Sequence, residues 1–387
     1  MVIQKSLKRI TAEVLNFLTM PRTIPLQNSV TSLLNWLEKP HAEQFRVAVM
    51  PDFFLDRFVQ YNNDFDQFSK EALDVVRRKG GSIDNVKQVN SRGGNAANTA
   101  AALATLGASV YPVIETDNFG ATLLKHFLEP LVVNLTHVKT VGKASVTTAL
   151  EFKQNSNKVN LMLRDTGSLA DFGPKKLSSK DYPLLAKADV VCVFNWAGTC
   201  RYGTELAEKV FDYVKTKGKG KTYYDTADPT PNKDRIPALM KRVLLKDLVD
   251  VLSLNENEAI QYATYVSPRQ VATLRREQKK LENLALKCAT ILAEHLSSRI
   301  DLHTTTYSAT LRKEEKPKIM PSFEVKVLQA TGAGDAWNAG NIYADQQGFS
   351  TEVRLTFANA VAAYYVSNAS AMHPTLRQLR SFLKNAL

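Results

Sequence analysis

"QATGAGDAWNAGN" (residues 329–341) places Gly332, Ala333 and Gly334 directly before a carboxylate, Asp335, at the start of a helix-compatible run. Glycine costs a helix interior about 1 kcal/mol relative to alanine. It is favoured where backbone N–H groups must approach a partner closely or take unusual dihedrals. The first N–H groups of a helix lack partners, and the helix dipole makes that end positive. A Gly-Ala-Gly turn there makes an anion pocket, most often for phosphate. Asp335 would repel a phosphate, so it needs its own reason. It has one if it takes a proton from a hydroxyl that attacks that phosphate. The plainer alternative is an aspartate favoured at a helix start by the dipole alone, and the rest of the chain separates the two.

The chain has 387 residues, 44% of them hydrophobic, enough for a sizeable core in one large domain with an appendage or in two domains. Lys and Arg number 50 against 38 Asp and Glu, a net charge of +12. The basic residues fall in short clusters such as "VRRKGG" and "KTKGKGK" without regular aromatic interleaving, which reads as solvated loops and helix faces rather than a nucleic-acid surface. Such a surface also helps to capture an anionic substrate. Cys192, Cys200 and Cys288 have no CxxC spacing, which fits a reducing, cytoplasmic setting and no structural zinc. No apolar run approaches membrane-spanning length, so neither a nucleic acid nor a membrane is an expected partner. "ITAEVLNFLTM" (10–20) is interrupted by Glu13 and reads as an amphipathic helix rather than a signal peptide.

Outward from the opening stretch, strands and helices alternate. "FRVAVM" (45–50), "SVYPVIE" (109–115), "DVVCVFNW" (189–196), "KTYYDTAD" (221–228) and "VDVLSL" (249–254) read as strands, and "FEVKVL" (323–328) leads into the opening stretch. "GGNAANTAAALATLGA" (93–108) is a glycine-led helix, and "NFGATLLKHFLEP" and "GTELAEKVFDYVKTKG" are helices stopped by Pro130 and Gly218. "NENEAIQYA" opens another, and two more close the chain, in 351–368 and 375–387. This alternation predicts a mostly parallel sheet with helices on both faces. Ligands of such sheets bind beyond the carboxyl ends of the strands, where Asp52, Asp56, Asn195, Asp225, Asn255 and Asp335 fall.

"ASVTTALEFKQNSNKVNLMLRD" (144–165) alternates by twos around "QNSNK" and reads as a hairpin. With "DRFVQY" (56–61) as a neighbouring strand it predicts a small sheet that serves as a lid or a homodimer surface. Residues 1–44 precede the first strand and read as an N-terminal extension to a domain spanning 45–387. "SPRQVATLRREQKKLENLALKCATILAEHL" (267–296) reads as a peripheral amphipathic helix.

Two separated signatures, "SRGGNAANTAAALATLGA" (91–108) and "ATGAGDAWNAG" (330–340), with "NENE" (255–258) between them, resemble the PfkB (ribokinase-like) family of carbohydrate and nucleoside kinases. The resemblance covers about residues 45–387. It implies a ribokinase-like α/β fold, a doubly wound, mostly parallel sheet with helices on both faces plus a small β-sheet lid. It implies a phosphotransferase that moves the γ-phosphoryl of ATP, with Mg²⁺, to a hydroxyl of a sugar or sugar-like molecule.

The same resemblance assigns roles. Asp335 is similar to the family's general base, and Gly332, Ala333 and Gly334 to its anion hole. Asn255 and Glu258 match the Asn-x-x-Glu pair that orders Mg²⁺ and its waters near the phosphates. By spacing alone the two also fit a capping box. Asp56 matches a strand-end aspartate that binds sugar hydroxyls, with Asp52 a second candidate or a turn cap. Gly94, Asn95 and Asn98 match acceptor contacts, and Asn195 is a further candidate. Thr331 and Asn359 join the nucleotide side. Arg92 and Arg164 can meet an anionic group on an acceptor, and Phe53 or Phe54 can line a nucleoside pocket, although one of them must face the core.

One departure concerns the nucleotide. The family carries a glycine-bearing turn after the penultimate strand, whereas "DLHTTTYSATLRK" (301–313) has no glycine, which leaves ATP open against another phosphoryl donor. The acceptor is open among pentose, hexose, sugar acid, sugar phosphate, polyol and nucleoside. A nucleoside kinase of the same fold, or a catalytically silent sugar- or nucleotide-binding regulator, are the competing readings.

Overall fold

The computed structural model describes residues 23–39, 44–129, 131–154 and 157–386. The amphipathic stretch read at 10–20 lies outside the described residues. The strands are β1 (Arg46–Met50), β2 (Phe54–Gln60), β3 (Lys87–Gly93), β4 (Ser109–Pro112), β5 (Ile114–Glu115), β6 (Val138–Lys139), β7 (Ser145–Gln154) and β8 (Asn157–Asp165). They continue with β9 (Val190–Phe194), β10 (Lys221–Asp225), β11 (Val251–Leu254), β12 (Arg299–His303), β13 (Tyr307–Leu311) and β14 (Lys318–Pro321).

The main sheet has eight strands in the order β14-β13-β12-β11-β10-β9-β1-β4. All neighbours from β12 to β4 run parallel, and β13 and β14 close the edge antiparallel. β9 shows why its sequence is continuously apolar. Val191 and Val193 enter the core on one face, while Val190, Cys192 and Phe194 enter the core on the other. Helices Gly203–Lys217, Glu256–Val266 and Leu281–His295 cover the first face; Asn95–Leu106, Ala333–Gln346, Thr351–Val366 and Leu376–Asn385 cover the second. Helix Thr23–Leu37 joins that second face through Val30 and Leu33. No helix among the described residues is long and apolar enough to cross a membrane.

The chain passes from β1 outward to β4 and then returns to β9 on the other side of β1. That reversal opens a crevice at the carboxyl ends of β1 and β9, the place where open α/β sheets bind ligands.

A second sheet, in the order β3-β2-β7-β8, stands apart. The expected hairpin is β7 with β8, and its expected neighbour is β2, paired parallel to β7. β3 was not foreseen in it. "KQVNSRG" is polar and mostly exposed, so it lacks the apolar alternation that marks a half-buried strand.

Three further stretches differ from expectation. "SVYPVIE" divides at Val113 into β4 and β5, because β5 leaves the main sheet to pair with β6. "FEVKVL" forms no strand and exposes Val327 and Leu328. Residues 267–296 form two helices, Pro268–Glu277 and Leu281–His295. The second is no peripheral helix, since Leu284 through Ala293 are all buried.

Candidate active site

Helix Ala333–Gln346, the site helix, begins at Gly332, whose φ of +87° lies in the left-handed region. A Cβ there would come within 2.5 Å of the Tyr365 hydroxyl, so this turn is closed to other residues on two counts. Gly334 has ordinary dihedrals and open space beside it, with His303 Cε1 as the nearest atom at 3.5 Å from a notional Cβ. Its value is access to the backbone N–H.

The helix is docked from below by two asparagines in its own interior. Asn338 donates to Asp225 at 2.6 Å and accepts from the hydroxyls of Tyr223 and Ser253 at 2.8 and 2.6 Å. Asn341 donates to Asp301 at 2.9 Å, and Arg354 ties Asp301, Asn341 and Thr310 together. Arg299 and Arg354 hold the fully buried Asp301 carboxyl well below the usual carboxylate range, against the opposing effect of burial. Of these residues only Asp225 was singled out from sequence. The available signal was two asparagines inside a helix, where asparagine is unfavourable without a partner.

Asp335 occupies the first turn and is 6% exposed. Asn95 donates to one carboxylate oxygen at 2.8 Å and Asn98 to the other at 3.0 Å. Burial pushes the Asp335 carboxyl well above its ordinary range, and the nearby Asp225 and Asp52 charges push the same way. The two amides oppose that shift by stabilising the charged form.

Asn95 and Asn98 reach this point because Gly93 and Gly94 bend the chain from β3 into helix Asn95–Leu106. Gly94 has φ +93°, and a Cβ on it would press on the Asp52–Phe53 backbone at 3.0 Å. A Cβ on Gly93 would overlap the Asp56 carboxylate. Asp56 thus depends on the bare backbone opposite it. Its carboxyl is pushed up to about 6 by burial, against a hydrogen bond from Thr147 and the charge of Arg164.

Asp52 and Asn195 are brought to the crevice but are already engaged. Asp52 accepts from the N–H groups of Asn95 and Ala96 at 2.9 and 2.8 Å and from Asn195 Nδ2 at 2.7 Å. Asn195 Oδ1 in turn accepts from Gly198 N at 2.9 Å. They form the cap that fixes the glycine-led helix, which is the turn-capping role for Asp52 and engages Asn195 at both ends of its amide.

A groove of about 450 Å³ is lined by Asp56, Arg92, Asn98, Thr331, Tyr365 and His373, among others. Thr331 lines this groove, its carbonyl accepting from the Tyr365 hydroxyl at 2.9 Å. Phe53 and Phe54 both face cores, at 3% exposure each, so the phenylalanines that line the groove are Phe58 and Phe127. The Arg164 guanidinium lies over the Phe54 ring at 4.8 Å.

On the other side of the Gly332–Gly334 turn lies a cleft of about 630 Å³, lined by Asn255, His303, Thr304, Ala333, Gly334 and Trp337, among others. The rings of His303 and Trp337 meet at 4.9 Å, tilted by 32°. Asn359 also lines the cleft, but both ends of its amide are used. It accepts from Trp337 Nε1 at 2.9 Å and donates to the Pro321 carbonyl at 2.9 Å. It is a wall of the cleft rather than a free donor. Asn255 caps helix Glu256–Val266 in a reciprocal box with Glu258: Asn255 Oδ1 accepts from Glu258 N at 3.0 Å, and the Glu258 carboxylate accepts from Asn255 N and Nδ2, both at 2.9 Å. Glu258 is 2% exposed, and burial with the Asp225 charge raises its carboxyl well above the ordinary range. Among the described residues no cluster of His, Cys, Asp or Glu is placed to hold a metal ion unaided.

Asp335 thus stands at a junction. Asn98, which holds it, lines the groove; Ala333 and Gly334, which precede it, line the cleft. A donor phosphate at the turn and a hydroxyl in the groove would meet at this carboxylate.

The chain is 26% identical to Haemophilus influenzae ribokinase over 303 residues, which cover 76% of this chain and 88% of that protein. Its fold matches Arabidopsis thaliana ribokinase complexed with ribose and ATP at TM-score 0.64 and 21% identity, covering 89% and 99% of the two chains. A ribokinase-II-like protein from E. coli in complex with ATP and Mg²⁺ superposes at TM-score 0.65 and 13% identity, covering 89% and 100%. The pfkB family carbohydrate kinase model matches residues 60–378, which include most of the main sheet, three of the four strands of the small sheet and both signatures, and the chain belongs to that family.

Proposed function

We propose that the chain transfers the γ-phosphoryl group of ATP to a hydroxyl of a sugar or sugar-like molecule, with Asp335 as general base. The observation that carries this reading is the position of Asp335, buried between groove and cleft and held by Asn95 and Asn98 at 2.8 and 3.0 Å. The acceptor lies in the groove, its hydroxyls on Asp56 and Asn98, beside the Gly94 turn. Its reacting hydroxyl gives a proton to Asp335, whose raised affinity for protons suits that task. The N–H groups of the Gly332–Ala333–Gly334 turn and the positive end of the site helix bear the charge that develops on the transferring group.

The Asn255–Glu258 pair fits a divalent ion that arrives with the nucleotide. A buried carboxylate beside Asp225, without a cationic partner among the described residues, is a poor neighbour for phosphates unless a cation intervenes. Mg²⁺ bound there through waters would bridge the nucleotide phosphates and neutralise their charge. The lid closes over the groove, and in this reading a homodimer forms through it.

A phosphorylation screen tests the proposal, with sugars, sugar acids, sugar phosphates, polyols and nucleosides offered against ATP, GTP and ADP. Transfer to a polyol from ATP with Mg²⁺ is expected. Transfer only to nucleosides, or only from ADP, would replace the acceptor or the donor. No transfer to any of them would favour a silent binding protein.

A further inference from the structure

The groove that holds Asp56 and Asn98 also holds a cation without a counter-ion. Arg92, next to the last residue of β3, donates from Nε to Asn98 Oδ1 at 3.1 Å and places Nη2 3.4 Å from His373 Nε2. Both partners are neutral groups, and Arg92 forms no ion pair among the described residues. Burial pulls its guanidinium below the usual arginine range, with Tyr365 and Asp335 only partly offsetting this.

His373 gives a second, independent sign. It is 8% exposed, and its ring stacks on Tyr365 at 4.8 Å. Burial and then the Arg92 charge lower its pKa to about 3, so the ring is neutral at physiological pH. With Nε2 accepting from Arg92, the ring proton sits on Nδ1, which is buried and has no partner among the described residues. A cation facing a neutral ring, next to an orphaned donor, is an arrangement poor in acceptors. A buried cation is stable only when an anion or good hydrogen bonds complete it.

The other groups facing this point do not complete it. The Tyr365 hydroxyl donates to the Thr331 carbonyl, and Gln329 Nε2 donates to that hydroxyl. Asp335 is reached only through Asn98, and Asp56 is matched to Thr147 and Arg164. We propose that Arg92, backed by His373, is an anion subsite of the acceptor groove, and that the acceptor is a polyol carrying a carboxylate or a phosphate. Hydroxyls of that polyol lie on Asp56 and Asn98, and its anionic end lies on the guanidinium, where a planar fork matches either oxyanion. The inference rests on the kinase reading and names the acceptor class for the same groove.

Calorimetry on the full chain tests it without requiring turnover. The probes are gluconate against glucose, ribose 5-phosphate against ribose, and inorganic phosphate alone. At least one anionic probe is expected to bind about tenfold or more tighter than its neutral parent, the scale of one charged hydrogen-bonded contact. Arg92→Met is expected to abolish that preference, lowering affinity for the anionic probe more than for its neutral parent. Arg92→Lys, which keeps the charge but not the fork, is expected to retain part of it, and also serves if the methionine variant does not fold. Equal binding of charged and neutral probes by the wild type overturns the subsite. So does an Arg92→Met loss that is the same for both, since Arg92 would then only position Asn98. Tight binding of inorganic phosphate without any preference for ribose 5-phosphate over ribose assigns the site to a free anion and overturns the acceptor class. Binding of the anionic probe without phosphoryl transfer to any acceptor would sink the kinase reading and leave the subsite standing. Transfer to neutral sugars with no charge preference would do the reverse.

Discussion

The carboxylates of the site divide by what their oxygens already do. Asp52 is spent on capping, whereas Asp335 and Asp56 each keep capacity toward the groove. Asp335→Asn keeps the size of the side chain and can still bond to one of the two asparagines, but it cannot take a proton. Loss of a positioned general base costs on the order of 10²–10⁴-fold in rate. We expect kcat to fall within that range, with an unchanged circular dichroism spectrum and nucleotide Kd equal to or tighter than wild type. A folded variant with near-normal kcat would remove Asp335 as the base. Asp56 makes a separate prediction through pH. Its pKa is raised to about 6, so it is charged above that value and takes a proton as pH falls through it. A carboxylate accepts hydroxyl hydrogen bonds more strongly than a carboxylic acid, so the acceptor KM is expected to rise below about pH 6. Asp56→Asn should have a high KM at every pH, without that inflection. The same inflection surviving in the variant would assign it to another group. Asp56 itself was legible as an acid close behind the first strand, although it sits third in β2 of the small sheet and not at a strand end. Its tuning was not, because it depends on Gly93, Thr147 and Arg164, which come from three other strands.

Elements rather than single residues decide how the nucleotide side works. Helix Glu256–Val266 starts on a capping box whose third-position acid, Glu258, is also the residue assigned to metal, and the two roles coexist in one geometry. Glu258→Gln separates them. Glutamine keeps one of the two hydrogen bonds from Asn255 and loses the other, since its amide nitrogen cannot accept, while the change removes a buried charge that burial and Asp225 disfavour. Thermal stability is therefore expected to change little. The Mg²⁺ concentration for half-maximal activity is expected to rise, because a neutral amide orders metal-bound water less strongly than a carboxylate. An unchanged Mg²⁺ dependence would reduce Glu258 to a cap. The spacing Asn255-x-x-Glu258 was readable because both roles are local. The interior of the site helix was not, since Asn338 and Asn341 find their partners on β10, β11 and β12. Helix Leu281–His295 was misplaced at the periphery for a related reason. The window 267–296 averages a charged first helix with an apolar second one, and the break at residues 278–280 carries neither Gly nor Pro to mark it.

At the scale of the whole molecule, the main sheet was legible because parallel strands are buried on both faces and read as continuous apolar runs. The lid sheet was only half legible, since β2, β7 and β8 alternate while β3 is polar on both faces. β8 is the edge of that sheet, and it exposes Val159, Leu161, Met162 and Leu163 at 46–56%. Register places Leu161 opposite Leu150 and Leu163 opposite Thr148, on the face away from Asp56, whose own row holds Thr147 and Arg164. An unpaired edge strand with exposed apolar side chains is a surface that soluble proteins normally cover. A small sheet of this kind also gains stability from a partner. A homodimer through β8 satisfies both needs and leaves the Asp56 face to the acceptor. Light scattering is expected to give a dimer at micromolar concentration. The double variant Leu161→Glu with Leu163→Glu is expected to give a monomer, because like charges would meet across a two-fold interface. The variant should keep its far-ultraviolet circular dichroism, since both side chains are already exposed and contribute little packing. Its acceptor KM is expected to rise more than its nucleotide KM, because the lid borders the groove and not the cleft. A wild type that stays monomeric at every practical concentration would dismiss the dimer. A monomeric variant with unchanged acceptor KM would show that the lid closes the groove without help from a second copy.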